Sequence, residues 1–328
     1  GRLVLRDCRF ERCFAPTQGG GAVYARGESL LLERCVFERN SAGVNGGVID
    51  LGTGALAQSF QECRFIDNVA GALGGAVQLG NAAGPTHQFV NCLFLGNVAA
   101  TNGGAGVQAY DVASGIVSLR SVDIVVSPPM ATGVTLNSSH GVLHDVDIDV
   151  TGSIMARGID VQDSATLEMF GGSVTATSGT NNSDCRAVYM NNSTAVVRSV
   201  DLSVTSCTQA NMGISANQST LEISDVTARA DGANTSSVRG VDVSASTMRA
   251  RNLTAKAFSG GTAIALDAWA VSTVHVTGSF LDSTGTSMSL SGGSAANLSD
   301  STVWGATSGM SGLCSNVVET NMSAHVCT

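Results

Sequence analysis

Asp123, Asp147 and Asp201, with His144, are the residues whose types and spacing could do acid–base chemistry. Each aspartate directly follows a position read as inward-facing, so the three share one outward column of a repeating chain. Arg120, His144 and Arg198 form a second column three residues earlier, and Asp149 and Asp160 add carboxylates nearby. Carboxylates stacked about 5 Å apart could act as the acid and nucleophile of a glycosidase, or hold Ca²⁺. A histidine beside them could serve as general acid or base. The same residues equally fit a solvated flank whose opposite charges pair from turn to turn. A hydrolase triad has less support, because no Gly-x-Ser-x-Gly elbow accompanies any serine.

The nine cysteines divide into groups. Cys8, Cys35, Cys63 and Cys92 recur once per repeat at an inward position, where small thiols fill a core. A metal site would need convergent ligands of the Cys-x-x-Cys or His kind, so neither a metal nor any other cofactor is expected. Cys185 and Cys207 fall in corresponding loops of adjacent turns and are candidates for a disulfide. Cys314 and Cys327 could staple the C-terminal tail over the last turn. Both bridges would suit an oxidising compartment. Arg157, Arg186 and Arg239 precede the small residue of a recurring strand, as a feature for an anionic glycan or as ordinary solvated charges. Trp269 and Trp304 could stack on sugar rings, but each stands alone in the sequence.

These residues are placed by a repeat. Cys8-Arg9-Phe10, Cys35-Val36-Phe37, Cys63-Arg64-Phe65 and Cys92-Leu93-Phe94 follow one another at intervals of 27, 28 and 29 residues. A glycine pair and an apolar strand come after each, as in Gly46-Gly47-Val48-Ile49 and Gly74-Gly75-Ala76-Val77. The inward position then continues as Val122, Val146, Gly172, Val200, Val226, Leu253, Ser279 and Ser301. Alternation with period two marks short strands with one buried face. One such unit cannot bury that face alone, so neighbours must stack. Asp7, Asn91, Asp145, Asp225, Asn252 and Asp300 precede the inward position, and these types tolerate the left-handed backbone of a sharp corner. The pattern predicts an all-β, single-stranded, right-handed parallel β-helix of about 12 coils, a rod about 55–60 Å long. It runs continuously over 1–328: Cys/Phe-ladder coils over 1–115, a Val/Ile/Leu/Ala core over 116–310, and a tail or cap over 311–328.

Composition sets further bounds. The net charge of −9 offers no basic field for nucleic acid, and no stretch has the apolar length of a transmembrane helix. With 43% hydrophobic residues the chain can bury a core, though of small side chains. The sequence opens without Met, inside the strand-like run Leu3-Val4-Leu5, and reads as a mature piece of a larger architecture.

Phe37-Glu38-Arg39-Asn40, Phe65-Ile66-Asp67-Asn68 and Phe94-Leu95-Gly96-Asn97, paired with the glycine-pair tetrapeptides, resemble the chlamydial polymorphic outer-membrane protein family. Cys13 stands where the first repeat would carry the Asn. The resemblance covers residues 1 to about 110 and implies a β-helix passenger of an autotransporter, acting as an adhesin outside the cell. No outer-membrane barrel pattern is legible in the last residues.

Three functions follow as expectations. The first is a non-catalytic extracellular or cell-surface adhesin passenger, stalk or fibre, with a host-cell or glycan receptor, or further copies of itself, as partner. The second is a polysaccharide lyase or glycoside hydrolase, by analogy with pectin-degrading β-helices; it requires Asp123, His144, Asp147 or Asp201 to converge in a groove. The third is a tail-spike segment of a phage or secretion system.

Overall fold

The computed structural model describes residues 1–328 apart from positions 53, 81–85, 101–103, 113–114, 128–129, 153, 179–183, 233–236, 260, 310–313, 316–317 and 320–328. Among the described residues there is no helix, and every strand pairing is parallel. The chain winds as a β-solenoid with three long ladders.

The first ladder starts at Arg2–Arg6 and climbs in register through Ser29–Glu33, Gln58–Gln61, Thr86–Val90 and Ile116–Val126. It continues through His140–Thr151, Thr166–Thr177, Thr194–Arg198, Thr220–Gly232, Thr247–Ser259 and Thr273–Thr277 to Ala295–Ser299, the twelfth rung. Cys314–Ser315 adds a short further strand. A second ladder begins at Arg9–Glu11 and Val36–Glu38, and a third at Val23–Ala25 and Ile49–Leu51. In the first four coils a fourth, two-residue ladder (Phe14–Ala15, Ser41–Ala42, Val69–Ala70, Val98–Ala99) lies between the second and third.

A left-handed residue separates the first ladder from the second in each of the twelve coils, followed by a second one, Gly172, in the seventh. The separating residue is Asp7, Arg34, Glu62, Asn91, Ser121, Asp145, Gly171, Ser199, Asp225, Asn252, Gly278 and Asp300, with φ between 48° and 72°. All six Asp/Asn positions predicted for this corner occupy it. In five coils a single strand, such as His140–Thr151, runs through the bend.

The core lies inside the coils as one cluster reaching from Val23 to Val303. Cys35, Cys63 and Cys92 stack within it, as the repeat predicts. Phe10, Phe37, Phe65 and Phe94 form an offset stack with centroids 5.0, 5.2 and 4.6 Å apart. The Asn that closes each Phe-x-x-Asn is wholly buried and bonded between coils. Asn68 donates from Nδ2 to the Phe37 carbonyl (3.1 Å) and to Asn97 Oδ1 (2.8 Å), while its own Oδ1 accepts the Asn40 backbone N–H at 2.9 Å. Asn40 Oδ1 in turn accepts the backbone N–H of Cys13 at 2.9 Å, which serves the coil that lacks the Asn.

The glycine pair has two separate causes. The first member, as at Gly46 (φ 57°) and Gly74 (φ 64°), takes the left-handed backbone. The second is packed against the next coil: a Cβ on Gly47 would lie 2.1 Å from the Gly75 carbonyl oxygen. Later coils exchange the Asn ladder for a serine ladder at the corner that follows the third ladder. Ser193, Ser219, Ser246 and Ser272 each donate their backbone N–H to the hydroxyl of the serine one coil on, at 2.9–3.3 Å.

Candidate functional site

The corner between the first and second ladders carries the predicted acid–base residues. Asp123 pairs in register with Asp147, Asp147 with Ser173, and Ser173 with Asp201. On the other side of the bend Arg120, His144, Phe170 and Arg198 are consecutive partners. The two columns therefore exist, each interrupted once. Ser173 separates Asp147 from Asp201 and donates to Asp147 Oδ1 at 2.6 Å. The His144 ring lies against Phe170, centroids 4.9 Å apart and 16° from parallel. Asp123, Asp147, Asp201 and His144 are all exposed on the outer edge of this corner. Asp149 continues the same strand, whereas Asp160 belongs to the third ladder, paired with Thr135 and Tyr189, and does not join the patch.

The outer face of the first ladder further along holds an open groove of about 620 Å³, lined among others by Arg198, Glu222, Asp225, Arg249, Arg251 and His275. Arg198 and Glu222 approach to 3.7 Å there, both half-exposed, an arrangement of small energetic weight.

The third ladder presents a different surface. Gly133, Gly158, Gly213 and Gly240 stand in its strands where a Cβ would meet a carbonyl oxygen of the next coil at 2.6–2.8 Å. The glycines face the core, where a Cβ at Gly133 or Gly158 would also strike Ile148 or Val174, while polar side chains on the outer side of the same strands lie in a trough, several of them buried. Arg157 reaches Asp160 at 2.8 Å, and Gln162 Nε2 donates to the other oxygen of Asp160 at 2.7 Å; Asp160 is 1% exposed. Three coils on, Arg239 lies 2.8 Å from Asp267 and 3.6 Å from Asp242, while Trp269 Nε1 donates to Asp242 at 3.1 Å. Burial pushes the Asp242 carboxyl above the usual carboxylate range, against the pull of Arg239. Between these pairs, Tyr189 is held with the Arg157 and Arg186 guanidinium carbons 4.2 and 4.6 Å from its ring centroid. Arg186 also pairs with Asp184 at 3.0 Å.

Arg157, Arg186 and Arg239 are thus paired, half-buried groups, which corrects their reading as ordinary solvated charges. Asp160, which the sequence suggests for the acid–base patch, holds Arg157 instead, and Asp184, Asp242 and Asp267 carry no role in the sequence reading. For two of the pairs the signal is a recurring tetrapeptide, Arg157-Gly158-Ile159-Asp160 and Arg239-Gly240-Val241-Asp242.

Cys185 and Cys207, in adjacent coils, form a disulfide with Cα atoms 6.0 Å apart. Cys8, Cys13, Cys35, Cys63 and Cys92 are free thiols. The proposed partner of Cys314, Cys327, lies outside the described residues. Among the described residues no group of three or more His, Cys, Asp or Glu side chains could hold a metal ion, and no helix is long and apolar enough to cross a membrane.

Ladders, corners and core together define the class: a single-chain parallel β-solenoid with polar columns on its outer faces. No family model and no curated protein matches the chain. Among solved structures it is similar to a chain of the cryo-EM structure of the Vag8–C1 inhibitor complex, with a TM-score of 0.50 and 16% identity over 97% of this chain and 78% of that one. At that identity the likeness speaks for the fold.

Proposed function

We propose that this chain is a non-catalytic β-helix displayed outside the cell, a passenger or stalk whose lateral faces bind a partner. The observation that carries the reading is the open position of Asp123, His144, Asp147 and Asp201 on the outer edge of a corner. Water reaches each of them freely, so neither the desolvation that tunes an acid–base pair nor a wall that would orient a sugar acts there. The Cys185–Cys207 disulfide supports an oxidising compartment. The resemblance of the first four repeats to autotransporter adhesins agrees with display at a surface. A solved structure of similar fold is that of the Vag8–C1 inhibitor complex, which supports a rod that engages a partner.

Two measurements test the reading. Protease shaving of intact cells of the source organism, followed by mass spectrometry, releases peptides of this chain if it is displayed; recovery only after lysis overturns display. Incubation with uronic-acid and neutral polysaccharides yields no product with the wild type. Product formation abolished by Asp147→Asn would establish the lyase or hydrolase alternative in its place.

A further inference from the structure

The chain has three tyrosines and two tryptophans, and four of these five rings lie on the outer face of the third ladder. Tyr24 is on its first rung, Tyr110 on its fourth, Tyr189 on its seventh and Trp269 on its tenth. The interval is three rungs each time, about 14 Å. Tyr24, Tyr110 and Trp269 are 41, 42 and 43% exposed, well beyond what packing alone requires of large rings.

Between the rings the face is a row of hydrogen-bonding groups. Asn137, Gln162, Asn191 and Asn217 occupy successive rungs beside the Arg–Asp pairs of the trough. In neighbouring columns of the same ladder Gln78 Oε1, Thr132 Oγ1 and Thr135 Oγ1 are buried without a partner. These atoms are shut off from any solute, so the groups a ligand can reach on this face are the half-exposed amides of Asn137, Gln162, Asn191 and Asn217.

We propose that this face binds a neutral, linear polysaccharide laid along the axis of the rod. The exposed rings of Tyr24, Tyr110 and Trp269 stack on pyranose faces, Tyr189 being engaged by Arg157 and Arg186, and each Arg–Asp pair offers a donor and an acceptor to neighbouring hydroxyls. Charge decides between polymers. Arg157, Arg186 and Arg239 are matched by Asp160, Asp184, Asp242 and Asp267, so the face has no positive excess for an anionic chain. The preference for a glycan over a protein follows from the face itself: a protein hot spot would need a dry apolar centre, and here paired charges and amides fill the centre.

The inference rests on the reading of the chain as a binding rod, and its test is independent of where the protein resides. Affinity electrophoresis of the intact chain uses hydroxyethyl cellulose, galactomannan, xyloglucan and dextran as neutral probes, with polygalacturonate and heparin as anionic ones. At least one neutral polymer retards the protein. Tyr110→Ala and Trp269→Ala each weaken that affinity about tenfold, Trp269→Phe restores most of it, and Trp304→Ala, on the second ladder, leaves it unchanged. Unchanged melting temperatures confirm that the variants fold. The proposal is overturned if no neutral polymer retards the chain, if only anionic ones do, or if Trp304→Ala weakens binding as much as Trp269→Ala. Capture of a protein through this face without polysaccharide retardation overturns it as well. A displayed protein that fails these assays would retain the role proposed above and lose the glycan.

Discussion

At the scale of single residues, a buried histidine and a half-buried aspartate act on stability in opposite directions. His87 is fully buried, both ring nitrogens lack a partner, and burial pushes its pKa down to about 4. The unfolded chain takes up that proton near pH 6.5, so His87 withdraws stability as pH falls from about 6.5 to 4, by about 3 kcal/mol in full. Burial raises the Asp50 carboxyl to about 6, partly offset by Arg26, so here the folded state holds the proton more tightly. Stability from Asp50 is present in acid and lost as pH rises from about 4 to 6. The windows overlap with opposite sign. Melting temperatures between pH 4 and 6.5 therefore drop more steeply towards acid in Asp50→Asn than in wild type, whereas His87→Gln makes the protein relatively more stable in acid. Equal profiles for the two variants would contradict this.

The thiols give a second residue-scale prediction. Burial raises the Cys35 thiol, and in the Cys63–Cys92 pair a thiol–thiol hydrogen bond together with burial raises Cys63. Thiolate is the reactive form. Iodoacetamide at pH 8 should label the half-buried Cys8 and Cys13 in the native protein, and Cys35 and Cys63 only after denaturation, as read by peptide mass spectrometry; Cys92, whose thiol the hydrogen bond with Cys63 lowers, is kept from the reagent by burial alone.

Elements are joined by hydrogen bonds directed along the axis. Asn68 serves the coil before it and the coil after it, so Asn68→Ala leaves buried backbone and side-chain groups unpaired. A loss of about 3 kcal/mol is expected by denaturant titration; a loss below about 1 kcal/mol would mean that the ladder merely decorates the coil. The disulfide works at the same scale. It closes a loop of separation 22, so reduction or Cys207→Ser should lower stability by about 3 kcal/mol. The Asp/Asn corner residues were legible because these types favour left-handed backbone. Arg34, Glu62, Ser121 and Ser199 take the same conformation without that preference, so only their place in the stack reveals them.

For the whole molecule, nearest-neighbour stacking sets how damage spreads. Each coil touches the coils before and after it, and the Phe10–Phe94 stack is confined to the first third. Phe65→Ala leaves a cavity expected to cost about 3–5 kcal/mol. In hydrogen exchange, amides of Val36–Glu38 and Leu93–Leu95 should lose protection, while those of Thr247–Ser259 keep it. Uniform loss along the rod would show instead that the solenoid unfolds as one unit.

The sequence by itself determined the period, the stacking of coils and the inward columns, because in a solenoid each residue's neighbours lie one repeat away along the chain; it offered Cys185–Cys207 as a candidate pair. It also put Asp123 and Asp147 in one column. Tertiary structure alone decided what lies beside a column. Whether an outward residue stands on an open corner, like Asp147, or sinks into a trough, like Asp160, depends on where the strand bends and how closely backbones approach at glycines such as Gly158. That lateral geometry comes from packing across the coil. The Arg-Gly-x-Asp segments repeat in the chain, but nothing in the repeat says whether their outward side chains lie open or buried, which is decided only when the coils close.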